Sequence, residues 1–113
     1  PATCERAVMA GAEKGCGRDA TWPVCSRPAG HTSHGLCDMA GNVWEWVQDW
    51  FHETYAGAPA DGSAWEHPED SDRVKRGGSW GTRPEAVRVS TRRRNIPETR
   101  DCYLGFRVAR TVR

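Results

Sequence analysis

Between Gly35 and Trp46 the chain reads Gly-Leu-Cys-Asp-Met-Ala-Gly-Asn-Val-Trp-Glu-Trp, a mixture that neither a regular helix nor a regular strand requires. Gly41-Asn42 favours a tight turn, because glycine and asparagine reach left-handed backbone at least cost. Asp38 and Glu45 bracket that turn. A turn between two acids directs backbone carbonyls inward beside carboxylates. Oxygen donors of that kind suit a hard cation such as calcium, which accepts roughly six to eight of them. The segment is not an EF-hand loop. An architectural reading stands beside the ligand reading, with Asp38 as a helix N-cap, Glu45 as a solvated acid and the tryptophans as core.

The rest of the composition also favours turns over long elements. Twelve glycines and seven prolines in 113 residues call for many chain reversals. Six tryptophans outnumber two phenylalanines and two tyrosines, and large indoles suit a loop-rich core because each fills space and still donates a hydrogen bond. The length sets one domain, residues 1–113, able to bury a core. Sixteen basic and 15 acidic residues leave a formal charge of +1, which argues against a nucleic-acid or anionic-membrane partner. Arg83, Arg88, Arg92, Arg93, Arg94, Arg100, Arg107, Arg110 and Arg113 crowd the last third. Pairing with carboxylates inside the fold is the expectation for them, ahead of a basic groove.

Cys4, Cys16, Cys25, Cys37 and Cys102 form no C-x-x-C pair of the zinc or thioredoxin kind, so disulfides are expected. Two local loops, Cys4 to Cys16 and Cys25 to Cys37, are the simplest connectivity, and the other pairings stay open. Cys102 is left over, either free or paired with another chain. Disulfides imply an oxidising compartment, extracellular or periplasmic. No signal peptide or apolar span occurs in these residues, so an export signal is expected to be removed or to lie outside them.

Residues 1–34 carry no sustained period; apart from one helical turn or short strand at Glu5–Ala10, they read as loop stapled by cysteines. Apolar residues at 43, 44, 46, 47, 50 and 51 suit a short helix or a strand equally. Residues 52–72 read as surface loop. Arg73 to Trp80 reads as a strand interrupted by Gly77-Gly78, which signals a bulge or a close backbone approach. Val87 to Arg92 and Leu104 to Arg110 alternate and predict two more strands, the second with Leu104, Phe106 and Val108 on one face.

Three blocks in order, Gly35 to Trp46, Arg73-Val74-Lys75-Arg76-Gly77-Gly78-Ser79-Trp80 and Leu104-Gly105-Phe106-Arg107-Val108-Ala109-Arg110, resemble the formylglycine-generating enzyme or sulfatase-modifying factor family. The resemblance covers residues 22–110 and is weak before them. It implies an α+β, C-type-lectin-like fold, loop-rich with short strands and little helix. It also matches the C-terminal portion of such a domain, since the family's N-terminal helix of Leu-Pro-Thr-Glu-Ala-Glu-Trp-Glu type has no counterpart here. An isolated portion exposes part of its core, so a second chain completing the domain is one expected partner.

The resemblance further implies a structural calcium ion held by the positions matching Asp38, Gly41, Val43 and Glu45: a side-chain oxygen, two backbone carbonyls and a glutamate. The family often carries asparagine at the first position, and aspartate adds charge toward a cation. A second family calcium site, before Pro23-Val24, has no evident ligands here; a Cys4 to Cys16 disulfide is expected to do that stapling instead.

The family's enzymes oxidise a sulfatase cysteine to formylglycine with molecular oxygen, using two of their own cysteines and a copper ion. By resemblance those cysteines fall shortly after Ser79, where this chain reads Trp80-Gly81-Thr82-Arg83-Pro84-Glu85-Ala86-Val87. A soft cuprous ion needs thiolates, so copper is not expected and no catalytic residue is assigned. The family's substrate-contacting asparagine is Tyr103 here. Ser79 and Trp44 match positions lining the family's cleft, and with Trp80, Arg83 and Tyr103 they make the candidate ligand cleft. Cys102 lies near that cleft, but one thiol does not replace a two-cysteine copper site. His31, His34, His52 and His67 are expected at the surface.

The expectation is therefore a calcium-stabilised, non-catalytic module presenting the surface between Ser79 and Tyr103 to a protein or peptide. One form of it is the variable protein of a diversity-generating retroelement, whose layout Arg88, Arg92, Pro97, Arg100 and Gly105 follow. Gly81, Thr82, Arg83, Glu85, Tyr103 and Leu104 would then be varied contacts. The alternative is a formylglycine-generating oxidase acting on a sulfatase cysteine, or a related metal-dependent oxidase, with its reactive centre supplied elsewhere. A third reading is a structural fragment that functions through partner residues.

Overall fold

A computed structural model describes residues 2–112; Pro1 and Arg113 lie outside the described residues. Four short strands, β1 (Trp44–Trp50), β2 (Arg73–Arg76), β3 (Arg92–Asn95) and β4 (Leu104–Gly105), form one sheet in the order β3-β2-β1-β4. Three single 3₁₀ turns, Lys14–Gly17, Pro28–Gly30 and Pro84–Ala86, are the helical elements among the described residues. The loop-rich α+β, C-type-lectin-like fold expected from the sequence is the fold observed.

β1 settles the ambiguity of residues 43–51 in favour of a strand, because it is hydrogen-bonded on both sides. It pairs antiparallel with β2 (Glu45 opposite Arg76, Trp46 opposite Lys75, Trp50 opposite Arg73) and parallel with β4 (Trp44 opposite Leu104, Glu45 opposite Gly105). Its register shifts between Trp46 and Trp50. The Gly77-Gly78 pair is a close approach, as its position suggested. Both residues have positive φ, and a Cβ on Gly77 would sit 2.9 Å from the Met39 carbonyl oxygen.

Two expected strands differ. The Val87 to Arg92 alternation does not form a strand: the Pro84–Ala86 turn drives Val87 into the core at 1% exposure, while Val89 stays 61% exposed. A turn closed by Thr91 N–H donating to the Arg88 carbonyl then delivers the chain to β3, which begins at Arg92 and pairs antiparallel with β2. The terminal strand is cut to Leu104–Gly105, and Phe106 and Val108 are exposed rather than sharing a buried face with Leu104. Pairing with β1 stops at Gly105, and the side chain of Arg107 is drawn to Glu45 instead.

Ala7, Met9 and Val87 form a buried cluster, with Cys4, Cys16 and Ala40 packed against it. Glu5–Ala10 therefore supplies core residues without becoming a regular element. Disulfides join Cys4 to Cys16 and Cys25 to Cys37, and Cys102 is free and exposed. Each closes a loop of 12-residue separation. In a chain with so small a core, a constraint of that kind is worth roughly 3 kcal/mol on the chain-entropy model. Two disulfides suit an oxidising compartment. No helix among the described residues is long and apolar enough to cross a membrane.

Candidate functional site

The turn between Asp38 and Glu45 is built from backbone. Asp38, Gly41 and Asn42 all have positive φ. A Cβ on Gly41 would lie 2.9 Å from the Val8 amide nitrogen and closer still to its carbonyl oxygen, so only glycine fits. The Gly41 N–H donates to Gly77 O and the Asn42 N–H to Val8 O, both at 2.7 Å. Asn42, 6% exposed, is the hub: its Oδ1 accepts the Trp22 N–H at 3.0 Å, its Nδ2 donates to Trp22 O, and its carbonyl accepts the Trp80 N–H. Sequence reasoning used Asn42 only as a turn former. The available signal was that a buried asparagine must satisfy its amide, here on the distant Trp22 backbone.

Asp38, Gly41, Val43 and Glu45 border a single cavity of about 220 Å³, together with Phe106 and Arg107. Two carboxylates and the turn's backbone thus converge on one space, and in chemical type this set fits a hard cation. The N-cap reading of Asp38 does not hold, since the chain passes from the turn into β1 rather than a helix. Asp38 Oδ2 instead accepts the Cys25 N–H at 2.7 Å. Glu45 is not simply solvated either. Arg107 Nε donates to both of its carboxylate oxygens at 2.9 Å, Nη2 donates to Oε1 at 2.6 Å, and Nη2 also donates to the Asp38 carbonyl at 3.0 Å. The hydrogen bonds to Glu45, followed by the charges of Glu45 and Asp38, raise the Arg107 pKa against the opposing effect of partial burial. Arg107 was among the arginines expected to pair with carboxylates, and Glu45 is the partner it finds.

None of the candidate cleft residues Trp44, Ser79, Trp80, Arg83 and Tyr103 lines the turn's cavity. Trp44 and Ser79 are 7% and 2% exposed, so they are buried, while Arg83 is at the surface. The Ser79 hydroxyl meets Thr82 Oγ1 at 3.1 Å and accepts the Gly81 N–H, which closes the turn where the family's cysteines would fall. Trp80 stacks on Tyr103 with ring centroids 4.8 Å apart and donates its indole N–H to the Cys102 carbonyl. Trp44 N–H donates to Tyr103 O. A groove of about 780 Å³ is lined by Trp46, Pro97, Arg100, Asp101, Leu104 and Phe106, and none of the five candidate cleft residues lines it. The sequence analysis named Trp46, Pro97 and Arg100 separately but not their meeting in one groove, which depends on β4 lying beside β1.

One further expectation changes. His52 is half-buried and stacked on Trp65 at 3.7 Å, not a surface residue, and Trp65 is itself a core residue inside the 52–72 loop. Among the described arginines of the last third, Arg94 and Arg107 form ion pairs as expected, and Arg92 and Arg94 also stack on aromatic rings. Arg18 and Arg27 sandwich Trp22, Arg73 lies over Trp50, Arg92 over Tyr55 and Arg94 over Phe51.

A model of the sulfatase-modifying factor enzyme 1-like domain matches residues 6–112, and the chain belongs to that family. It is 40% identical over 97 residues to the formylglycine-generating enzyme of Streptomyces coelicolor, covering 82% of this chain and 30% of that protein. It is 39% identical over 95 residues to the serine/threonine-protein kinase pkn1 of Chlamydia caviae, covering 82% of this chain and 15% of that one. The chain thus spans less than a third of the length of these curated relatives. Among solved structures, PvdO from Pseudomonas aeruginosa superposes with a TM-score of 0.83 at 38% identity, covering 93% of this chain and 39% of that one. Treponema denticola variable protein 1 superposes with a TM-score of 0.68 at 30% identity, covering 90% and 34%.

Proposed function

We propose that the chain is a calcium-stabilised, non-catalytic binding module whose ligand is a protein or peptide. The observation that carries this reading is the state of the sulfurs. Cys4, Cys16, Cys25 and Cys37 are spent in disulfides, which leaves Cys102 as a single exposed thiol at a surface otherwise closed by Ser79, Thr82 and the Trp80–Tyr103 stack. A copper centre of the two-thiolate kind needs a second sulfur there. What the surface offers is a groove with an indole, a proline, a phenylalanine and charges of both signs, a lining suited to a peptide. Asp38, Gly41, Val43 and Glu45 would hold the calcium ion, with an architectural effect: the ion would brace β1 and hence Trp44 and Trp46.

Likeness to Treponema denticola variable protein 1 supports the narrower version, in which Gly81, Thr82, Arg83, Glu85, Tyr103 and Leu104 are diversified by a retroelement. The two disulfides support an oxidising compartment, and an extracellular or periplasmic setting is part of this proposal. Exposed Phe106 and Val108 support a second chain that completes the domain.

Panning a random peptide-display library on the protein, then counter-panning on a Trp46→Ala, Tyr103→Ala double variant, tests the reading. The expected result is a set of peptides that bind the parent and are lost on the variant. Peptides that bind both alike, or no enrichment, count against it. The second reading is an oxidase acting on a sulfatase cysteine, favoured by the 40% identity to the Streptomyces coelicolor enzyme. It requires a thiol brought to Cys102 from outside these residues.

A further inference from the structure

Arg107 occupies the Glu45 carboxylate, one of the four ligand groups of the candidate cation site. Its guanidinium engages both oxygens of Glu45 and the carbonyl of Asp38, and it lines the same cavity as all four candidate ligands. A calcium ion holds carboxylate oxygens at roughly 2.3–2.6 Å. Arg107 Nη2 already lies 2.6 Å from Glu45 Oε1, so the two cations cannot both occupy the approach to that carboxylate. Their repulsion across a partly buried site adds to the steric conflict.

Arg107 is also the anchor of the segment that follows β4. Pairing with β1 ends at Gly105, and the flanking Phe106 and Val108 are 75% and 88% exposed. The side chain of Arg107 supplies the polar contacts that hold this stretch against the turn.

We infer that Arg107 is a built-in occupant of the cation site, setting its affinity, and that a divalent cation entering the site displaces Arg107 and unlatches residues 106–110. The inference rests on the calcium reading above and deepens it. The bound ion and the docked tail become alternatives, so calcium concentration controls whether the tail lies on the turn or is free.

Calcium titration by calorimetry into chelator-treated protein tests this on the parent, Arg107→Gln, Arg107→Lys and Glu45→Gln. Removing a charged, multiply hydrogen-bonded competitor should tighten binding roughly ten-fold or more in Arg107→Gln. Arg107→Lys, which keeps the charge but not the fork, should fall between the two and serves if the glutamine variant folds poorly. In the parent, the arginine Nε–H resonance of Arg107 should shift on saturation, and Glu45→Gln should lose binding. Equal or weaker affinity in both Arg107 variants, or calcium binding that leaves the Arg107 resonance unmoved, overturns the competition while the calcium site stands. Absence of binding in every variant at millimolar calcium overturns the calcium reading and the inference with it.

Discussion

The turn that carries Asp38 and Glu45 and the arginine-bearing outer face of β2 and β3 are held by different forces. At the turn, backbone meets backbone: Gly41 against Val8, Gly77 against Met39, and Asn42 bonded to Trp22, Val8 and Trp80. On the outer face, long cationic side chains lie on rings: Arg92 on Tyr55, Arg94 on Phe51 and Arg73 on Trp50. Backbone contacts of the first kind have no slack, because an added methyl group has nowhere to go. Stacked arginines tolerate substitution, since the contact is shallow and both partners are partly solvated. The fold is thus rigid where a cation site is proposed and permissive at its outer surface.

Gly41→Ala attacks the rigid region most directly. With φ at +81° and the Val8 backbone in the way, it should cost about 4 kcal/mol, or roughly 15–25 °C in Tm, checked by thermal unfolding in circular dichroism. Replacing Cys4 and Cys16 by serine together should cost about 3 kcal/mol in a urea titration. Asn42→Ala should cost about 2 kcal/mol, because it leaves the Trp22 amide and carbonyl without their partner. Arg92→Ala on the permissive face removes stacking on Tyr55 and a 2.8 Å bond to the His52 carbonyl, and should cost only about 1 kcal/mol. A larger loss for Arg92→Ala than for Asn42→Ala would invert the contrast between the two regions.

The smallest effect concerns Lys75, whose pKa is lowered by burial, opposed by Asp101 and reinforced by Arg93. A lysine with a folded value below its unfolded one makes the charged form a cost of folding. That cost is fully present below the folded value and fades as pH rises from there into the ordinary lysine range. A Lys75→Met variant should therefore show a small gain in Tm near neutral pH that shrinks as pH rises through that window. A gain independent of pH would point to packing alone.

The turn was legible in the sequence because its residues advertise a backbone requirement: Gly41-Asn42 and Gly77-Gly78 mark positive φ and close approach whatever surrounds them. The disulfide loops were legible for a similar reason, as local spacing limits the simple pairings. β1 was half legible, since its apolar spacing suits a helix or a strand until β2 and β4 appear on either side. Val87 misled because alternation with Val89 has the same pattern whether both lie in a sheet or one turns into the core. The Arg73–Trp50 stack and the Trp46 groove were not legible, as both arise from pairing between strands far apart in the chain. Arg107 was visible as part of a block, but its partner Glu45 lies 62 residues away, and only the parallel pairing of β4 with β1 joins them.

The central proposal is that a fold whose family includes formylglycine-generating enzymes serves here as a scaffold without a reactive centre. The most direct test is to load the purified protein with copper, incubate it aerobically with a peptide carrying a sulfatase cysteine motif, and follow the peptide by mass spectrometry. The account predicts that the cysteine remains unchanged. Conversion of that cysteine to formylglycine, abolished by Cys102→Ser, would contradict it.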